Sequence, residues 1–196
     1  PALSVPSFCY EENDSPCTEQ KKSKWYCSYL TTNIATRLEI RTFITDDMRI
    51  RRHLQGACGA VCVSDVAFLP RSRAHLTVCA EARKILYEPN AGGTSTVSET
   101  LSMEYMHQRF CARDVLTEMQ IKYWSDNWKK VDFICSIAAG HGDGEMQRVG
   151  VSVTRAMGFP DYTSFTFEGA MKLLHKKLNG LVVARAGVDE LHRYDR

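Results

Sequence analysis

The chain has 196 residues, of which 44% are hydrophobic and 24% are charged. These values are typical of a globular protein of one domain, or of one domain with a small appendage. The formal net charge is only +2, from 25 Lys and Arg against 23 Asp and Glu, which excludes a histone-like polycation and requires any nucleic-acid binding to use a local basic patch. Because no apolar run approaches the ~20 residues of a membrane-spanning helix, we expect no membrane partner.

The eight cysteines are spread along the chain without the paired C-x-x-C spacing that structural zinc sites use. Cys58 and Cys62 lie in an apolar stretch and Cys135 lies in a strand-like run, where a free thiol behaves as a small buried hydrophobe. These positions favour core thiols, with a disulfide or a metal site as the alternatives. Core thiols indicate a reducing compartment, so we expect the protein in the nucleus or the cytoplasm.

Changes in composition divide the chain into three parts. Residues 1–24 are polar and turn-rich and are predicted to form an N-terminal arm. Residues 25–90 are predicted to form a small α+β subdomain or an extension of the main sheet. Residues 91–196 carry the clearest succession of elements and are predicted to form the core of the fold.

The N-terminal half contains two predicted strands. Apolar and polar residues alternate at 37–44, which predicts a β-strand. A second strand-like run covers 59–69 and ends at Pro70. Residues 74–87 begin as a third strand and can continue as a short helix.

From residue 96 onward the pattern predicts a helix, three strands, a helix and a strand. Thr96 and Glu99 have the spacing of a capping box, which stabilises the start of a helix. Thr166 can cap the second helix, which is expected to end at Gly180. The predicted elements are a helix at 96–111, strands at 115–124, 128–137 and 148–155, a helix at 166–178 and a final strand at 181–184.

This αβββαβ order over residues 96–184 resembles the core of the PD-(D/E)XK nuclease-like superfamily, the fold of many restriction enzymes and Holliday-junction resolvases. The resemblance implies an α/β or α+β fold with a mixed central sheet flanked by helices. It also implies a site in which an Asp on the second strand, an acidic-x-Lys triplet on the third strand and a helix carboxylate hold one or two Mg²⁺ ions.

Asp132 matches the second-strand Asp of the resemblance, although no Pro precedes it. Ser152 and Thr154 stand where the third strand would carry its acid and its lysine. Glu99 or Glu104 would supply the helix carboxylate, and the sequence leaves both open. A hydroxyl oxygen is a weak ligand for Mg²⁺ and Thr154 has no charge, so the resemblance implies a scaffold that has lost ordinary hydrolytic chemistry.

A non-standard site is the alternative. Glu118 and Lys122 lie on the same face of the preceding predicted strand and could form a migrated site with Asp132. In that case Asp132, Glu104, Glu118 and Lys122 would be catalytic, and Asp132 with Glu104 would hold Mg²⁺; otherwise no cofactor is expected. The simpler interpretation is that Glu118 and Lys122 form a charged pair on an exposed sheet face and that Asp132 is a solvated charge at a strand start.

Two further groups of residues suggest contact with nucleic acid. The predicted phosphate-binding patch comprises Lys172, Lys176, Lys177, Arg155 and Arg148. Tyr123, Trp124 and Trp128 could stack on bases. The alternatives are a solvated helix face for the basic residues and cross-strand packing for the aromatic ones.

Three functions are therefore open. The first is a non-catalytic nuclease-like domain that acts as a nucleic-acid-binding or protein-interaction module in a larger assembly. The second is an active Mg²⁺-dependent phosphodiesterase with a non-standard site around Asp132. The third is a purely structural subunit.

Overall fold

A computed structural model describes residues 29–33, 38–43, 50, 52–53, 59, 61–68, 78–89, 95–138, 146–156 and 165–195. The predicted arm at 1–24 lies outside these residues. The strands are β1 Tyr29–Asn33, β2 Leu38–Phe43, β3 Ser64–Phe68, β4 Arg113–Thr117, β5 Phe133–Ala138 and β6 Met146–Val151. The helices are α1 Ala80–Tyr87, α2 Thr96–Phe110 and α3 Phe167–Gly187, followed by a 3-10 turn at Glu190–His192.

The strands form two three-stranded sheets, ordered β1-β2-β3 and β4-β5-β6. The predicted α+β class is confirmed. Every strand pair in the described residues is antiparallel, so the sheet is not of the mixed kind that the resemblance implied. In the second sheet Phe133 pairs with Val151, so the segments around Asp132 and Ser152 are adjacent.

The predicted final strand at 181–184 is wrong, because α3 continues through it to Gly187. Leu181, Ala184 and Val188 recur at helical spacing and pack against the sheet, so burial decides the conformation of this β-branched run. The cap at Thr166 is confirmed, since its side chain accepts a hydrogen bond from Gly169 N at 3.1 Å. No helix within the described ranges is long and apolar enough to cross a membrane.

The bounds of three strands and the cap of α2 also differ from the sequence prediction. The strand expected at 128–137 begins at Phe133, and the strand expected at 148–155 covers Met146–Val151. The strand expected at 115–124 ends at Thr117, whose carbonyl oxygen accepts hydrogen bonds from the N–H groups of Gln120 and Ile121 and so closes a turn. The capping box is also wrong: Ser95 is the N-cap of α2, and Thr96 is its first helical residue. Apolar and polar residues alternate at 119–123 as in a strand, but the hydrogen bonds to Thr117 O form a turn there and outweigh this pattern.

The central strand β5 is buried on both faces. Phe133, Cys135 and Ile137 face a core shared with α1 and α2, and Ile134 faces a second core shared with α3. Burying each large apolar side chain contributes about 1.5–3 kcal/mol. The helices therefore flank the sheet. The start of β5 pairs with the end of β6.

The loop after Tyr123 is held directly against α3. Trp128 Nε1 donates to Val183 O at 2.8 Å, and the indole lies so close to Gly187 that a Cβ there would overlap Nε1. Trp124 N donates to Gly187 O at 3.0 Å. These contacts fix the position of the loop that carries Lys129 and Lys130.

Candidate functional site

Asp132 lies directly before β5, beside the end of β6. Its N–H donates to Val151 O at 3.0 Å. Its carboxylate Oδ2 accepts from Ser152 Oγ at 3.1 Å and from Val153 N at 2.5 Å. The other oxygen, Oδ1, has no hydrogen-bond partner in the described part of the chain, and the Asp132 side chain is 24% exposed. The hydrogen bonds of the described residues thus hold one oxygen of this carboxylate, Oδ2.

Lys177 reaches the same point from α3. Its Nζ donates to Val153 O at 2.7 Å and to Ser152 Oγ at 3.2 Å, and it lies 3.9 Å from Asp132 Oδ2. The sequence placed Lys177 in a phosphate-binding patch; the structure instead places it against the Asp132 carboxylate. A lysine from α3, and not from the third strand, therefore lies beside Asp132 and Ser152.

Around this cluster lies an open cleft of about 500 Å³, between the loop before β5, the end of β6 and α3. Its charged lining consists of three lysines and three carboxylates, namely Lys129, Lys130, Lys177, Glu118, Asp126 and Asp132. The formal charges balance, so the cleft itself has no net charge. Lys129 and Lys130 are close to Asp132 in the sequence, and this is the signal that could have placed both lysines at the site.

Glu118 lies in the cleft with its pKa raised. Burial is the main cause, and the negative charge of Asp132 adds to it, while Lys130 opposes it. The Glu118 carboxyl group has no hydrogen bond or ion pair with any described residue. Since the Asp132 charge acts on Glu118, the structure brings together two members of the predicted non-standard site.

The helix carboxylates are separated by their positions on α2. Five residues correspond to about 140° around a helix, so Glu99 and Glu104 face different ways. The Glu99 charge contributes to the raised pKa of Glu118, after burial and the charge of Asp132. Glu104 is fully buried elsewhere and accepts hydrogen bonds from Cys79 N at 2.7 Å and Gln108 Nε2 at 2.5 Å. Neither residue lines the cleft, and of the two only the Glu99 charge contributes to the raised pKa of Glu118.

Lys122 is also placed away from Asp132, in a segment that holds the C-terminal residues. Its N–H donates to His192 Nδ1 and its carbonyl oxygen accepts from Asp189 N, both at 2.9 Å. It makes no ion pair with Glu118 in the described residues and does not line the cleft. The turn after Thr117 is the reason, because it breaks the strand that was expected to align the two side chains.

The predicted basic patch is divided among separate contacts. Lys172 pairs with Glu168 at 2.7 Å on the exposed side of α3. Arg148 Nη1 donates to Leu191 O at 2.7 Å and supports the C-terminal turn. Lys176 and Arg155 are exposed. With Lys177 in the cleft, the five residues do not act as one surface.

The aromatic residues divide in the same way. Tyr123 OH accepts from Val131 N at 3.0 Å and supports the start of β5. Trp124 is 74% exposed, and its ring centroid is 6.2 Å from that of Trp128, which lines the cleft. One exposed aromatic face is thus available beside the cleft.

The chain is similar to part of a longer protein. No family model matches the chain, and no solved structure matches it. The chain is similar to the "AAC-rich mRNA clone AAC4 protein" of Dictyostelium discoideum, with 35% identity over 137 residues. The match covers 67% of this chain and 19% of the relative, so the chain spans about a fifth of that protein's length. The relative's name states no activity, substrate or partner.

Proposed function

We propose that the protein is a non-catalytic nuclease-like domain that binds the sugar-phosphate backbone of a nucleic acid in the cleft. The observation that carries this proposal is the position of the Lys177 ammonium group against the oxygens of Asp132, Ser152 and Val153. Hard cations such as Mg²⁺ bind through oxygen sets of this kind. In this protein the ammonium group of Lys177 supplies the positive charge at these oxygens.

The rim of the cleft suits a phosphate chain. Lys129 is exposed and Lys130 half-buried, and both line the cleft. Lys and Arg contacts to phosphate supply most of the sequence-independent affinity for nucleic acid. The exposed Trp124 ring adds a surface on which a base can stack.

The raised pKa of Glu118 makes the affinity for nucleic acid dependent on pH. A bound phosphate raises the pKa of Glu118 further, because two negative charges then lie near one another. Binding therefore takes up a proton, and affinity rises as the pH falls toward the pKa of Glu118. Replacing Glu118 with Gln tightens binding at neutral pH and removes this dependence.

The test is fluorescence anisotropy with short labelled single- and double-stranded DNA and RNA. The variant is Lys129→Gln with Lys130→Gln, and the matched control is Lys172→Gln, which removes an exposed charge outside the cleft. The proposal predicts that the double variant weakens binding and the control does not. Equal binding by all three proteins would refute the cleft as the nucleic-acid site.

A second function, a Mg²⁺-dependent phosphodiesterase, is supported by one specific observation. Asp132 Oδ1 and the Glu118 carboxyl group both lack partners among the described residues, and their charges interact. Two such carboxylates can hold a divalent ion that stabilises the oxygens of a phosphodiester. Lys177 would then neutralise charge on the phosphate.

A cleavage assay separates the two functions. The same oligonucleotides are incubated with the protein and Mg²⁺ or Mn²⁺, beside the Asp132→Asn and Glu118→Gln variants and the Glu104→Gln control. Binding without cleavage supports the first proposal. Cleavage that both cleft variants abolish and Glu104→Gln retains would replace it with the second.

A further inference from the structure

A second cluster of potential ligands lies between α1 and α2. It consists of Cys79, Glu81 and His107, whose ligand atoms all lie within 4.8 Å of one another. All three residues are half-buried. Cys79 is the N-cap of α1 and Glu81 lies in its first turn, whereas His107 comes from the last turn of α2. None of the three lines the cleft at Asp132.

One ring nitrogen of His107 is held by a hydrogen bond. His107 Nδ1 lies 2.9 Å from Ala112 O, and because a carbonyl oxygen only accepts hydrogen bonds, Nδ1 carries the proton. Nε2 then has a free lone pair. Metal-bound histidines are held in this way, with the second ring nitrogen donating to a carbonyl or a carboxylate.

The carboxyl group of Glu104 connects the two helices that carry the potential ligands. Glu104 lies on α2 and is 0% exposed, and its oxygens accept hydrogen bonds from Cys79 N and from Gln108 Nε2. The hydrogen bond from Cys79 N holds the start of α1, with Cys79 and Glu81, against α2.

We propose that Cys79, Glu81 and His107 bind a Zn²⁺-type ion. Sulfur, imidazole nitrogen and carboxylate oxygen are the donors that tetrahedral Zn²⁺ uses, and three protein ligands leave the fourth position to water. Ligand atoms on such an ion lie about 3.4–3.6 Å apart. Small rotations of the three side chains would bring their ligand atoms to these distances. One thiolate and the Glu81 carboxylate balance the two positive charges of the ion.

Binding replaces the thiol proton of Cys79. The proton passes to solvent, and the Zn–S bond forms with no change of oxidation state.

The test uses the purified full chain, freed of metal by a chelator under reducing conditions and titrated with Co²⁺. We expect a cobalt absorption spectrum with a thiolate charge-transfer band and displacement of Co²⁺ by Zn²⁺. Cys79→Ser and His107→Gln should each remove the charge-transfer band or weaken Co²⁺ binding roughly tenfold or more. Cys111→Ser is the matched control, because Cys111 is an exposed thiol close to His107 in the sequence but outside the cluster.

Glu81→Gln keeps the test decisive if Cys79→Ser does not fold, because Glu81 is a half-buried residue outside the hydrophobic core. Circular dichroism of each variant confirms folding. Absence of Co²⁺ binding by the wild type would overturn the proposal. Binding that Glu81→Gln and His107→Gln leave unchanged would also overturn it, because the metal would then be held by other cysteines of the chain.

Discussion

Lys177 and Asp132 form the one ion pair between α3 and the sheet in the described residues, with Nζ 3.9 Å from Oδ2. Both side chains are less than a third exposed, at 29% and 24%. At this burial, loss of one partner leaves the other charge poorly solvated. In the proposed function, the Lys177 ammonium group supplies the positive charge that a divalent ion would supply at these oxygens.

Lys177→Met tests this arrangement. The change removes the hydrogen bonds to Ser152 and Val153 and leaves the Asp132 charge unpaired, so we expect a loss of about 1–3 kcal/mol in the free energy of unfolding. Mg²⁺ should restore part of the stability of the variant and have little effect on the wild type, since ligand binding to the folded state raises stability. Urea unfolding with and without Mg²⁺ measures both effects, and Lys172→Met is the control. A wild-type protein that gains as much stability from Mg²⁺ as the variant would contradict the assignment of the cation position to Lys177.

Two glycines of α3 give opposite predictions for the same substitution. In Gly187→Ala the new methyl group would overlap the Trp128 ring, and overpacking of this kind costs about 1–3 kcal/mol. In Gly180→Ala the nearest atom is Lys129 Cε at 2.9 Å, which can move because it is the end of a flexible chain. That variant should be neutral or more stable, since Ala favours a helix over Gly by about 1 kcal/mol.

Thermal unfolding compares the two variants directly. Each kcal/mol corresponds to about 2–4 °C in a chain of this length. Equal melting temperatures for Gly187→Ala and Gly180→Ala would show that Trp128 does not pack against α3 as described.

Glu118→Gln should stabilise the protein at neutral pH. The pKa of Glu118 is raised in the folded state, chiefly by burial and then by Asp132, so the folded protein binds its proton more tightly than the unfolded chain does. Ionisation of Glu118 therefore costs stability at neutral pH, and Gln removes this cost. The gain should disappear as the pH falls below the ordinary carboxyl pKa of 4.5, where Glu118 is protonated in both states.

Melting temperatures of wild type and Glu118→Gln from neutral to acid pH check this prediction. Glu168→Gln is a suitable control, because its side chain is 78% exposed and lies outside the cleft. A difference between Glu118→Gln and wild type that does not change with pH would show that the carboxyl group is not the cause.

The cysteines should differ in their reactivity toward alkylating reagents. Cys135 is 0% exposed and burial raises its pKa to about 12, so little thiolate forms at neutral pH and the reagent cannot reach it. Cys111 is exposed. Peptide mass spectrometry after a short treatment of the native protein should find Cys111 modified and Cys135 unmodified until the protein is denatured; early modification of Cys135 would contradict the buried position of β5.

The sequence predicts those parts of the fold that depend on local periodicity. The strand at 37–44, the helix at 96–111 and the Thr166 cap all agree with the structure to within one or two residues. The run at 181–184 could not be assigned locally, because β-branched residues favour a strand and only packing against Ile134 and Val131 makes it helical.

The sequence also predicts part of the candidate site. Asp132 and its partner strand follow from the order of the elements, and Ser152 follows from their register. Lys177 could not be assigned to the cleft because α3 approaches it only in the folded chain, and the outward position predicted for this lysine was the usual one for an amphipathic helix. Glu104 and Glu99 could not be distinguished without the rotation of α2.

The salt dependence of nucleic-acid binding tests the central proposal most directly. Each lysine that contacts a phosphate contributes about 0.9 to the slope of log K against log salt for double-stranded DNA. The account predicts that Lys129→Gln with Lys130→Gln lowers this slope by about 2 relative to wild type, and that Lys172→Gln leaves it unchanged. A slope that is the same in all three proteins, or no measurable binding even at low salt, would contradict it.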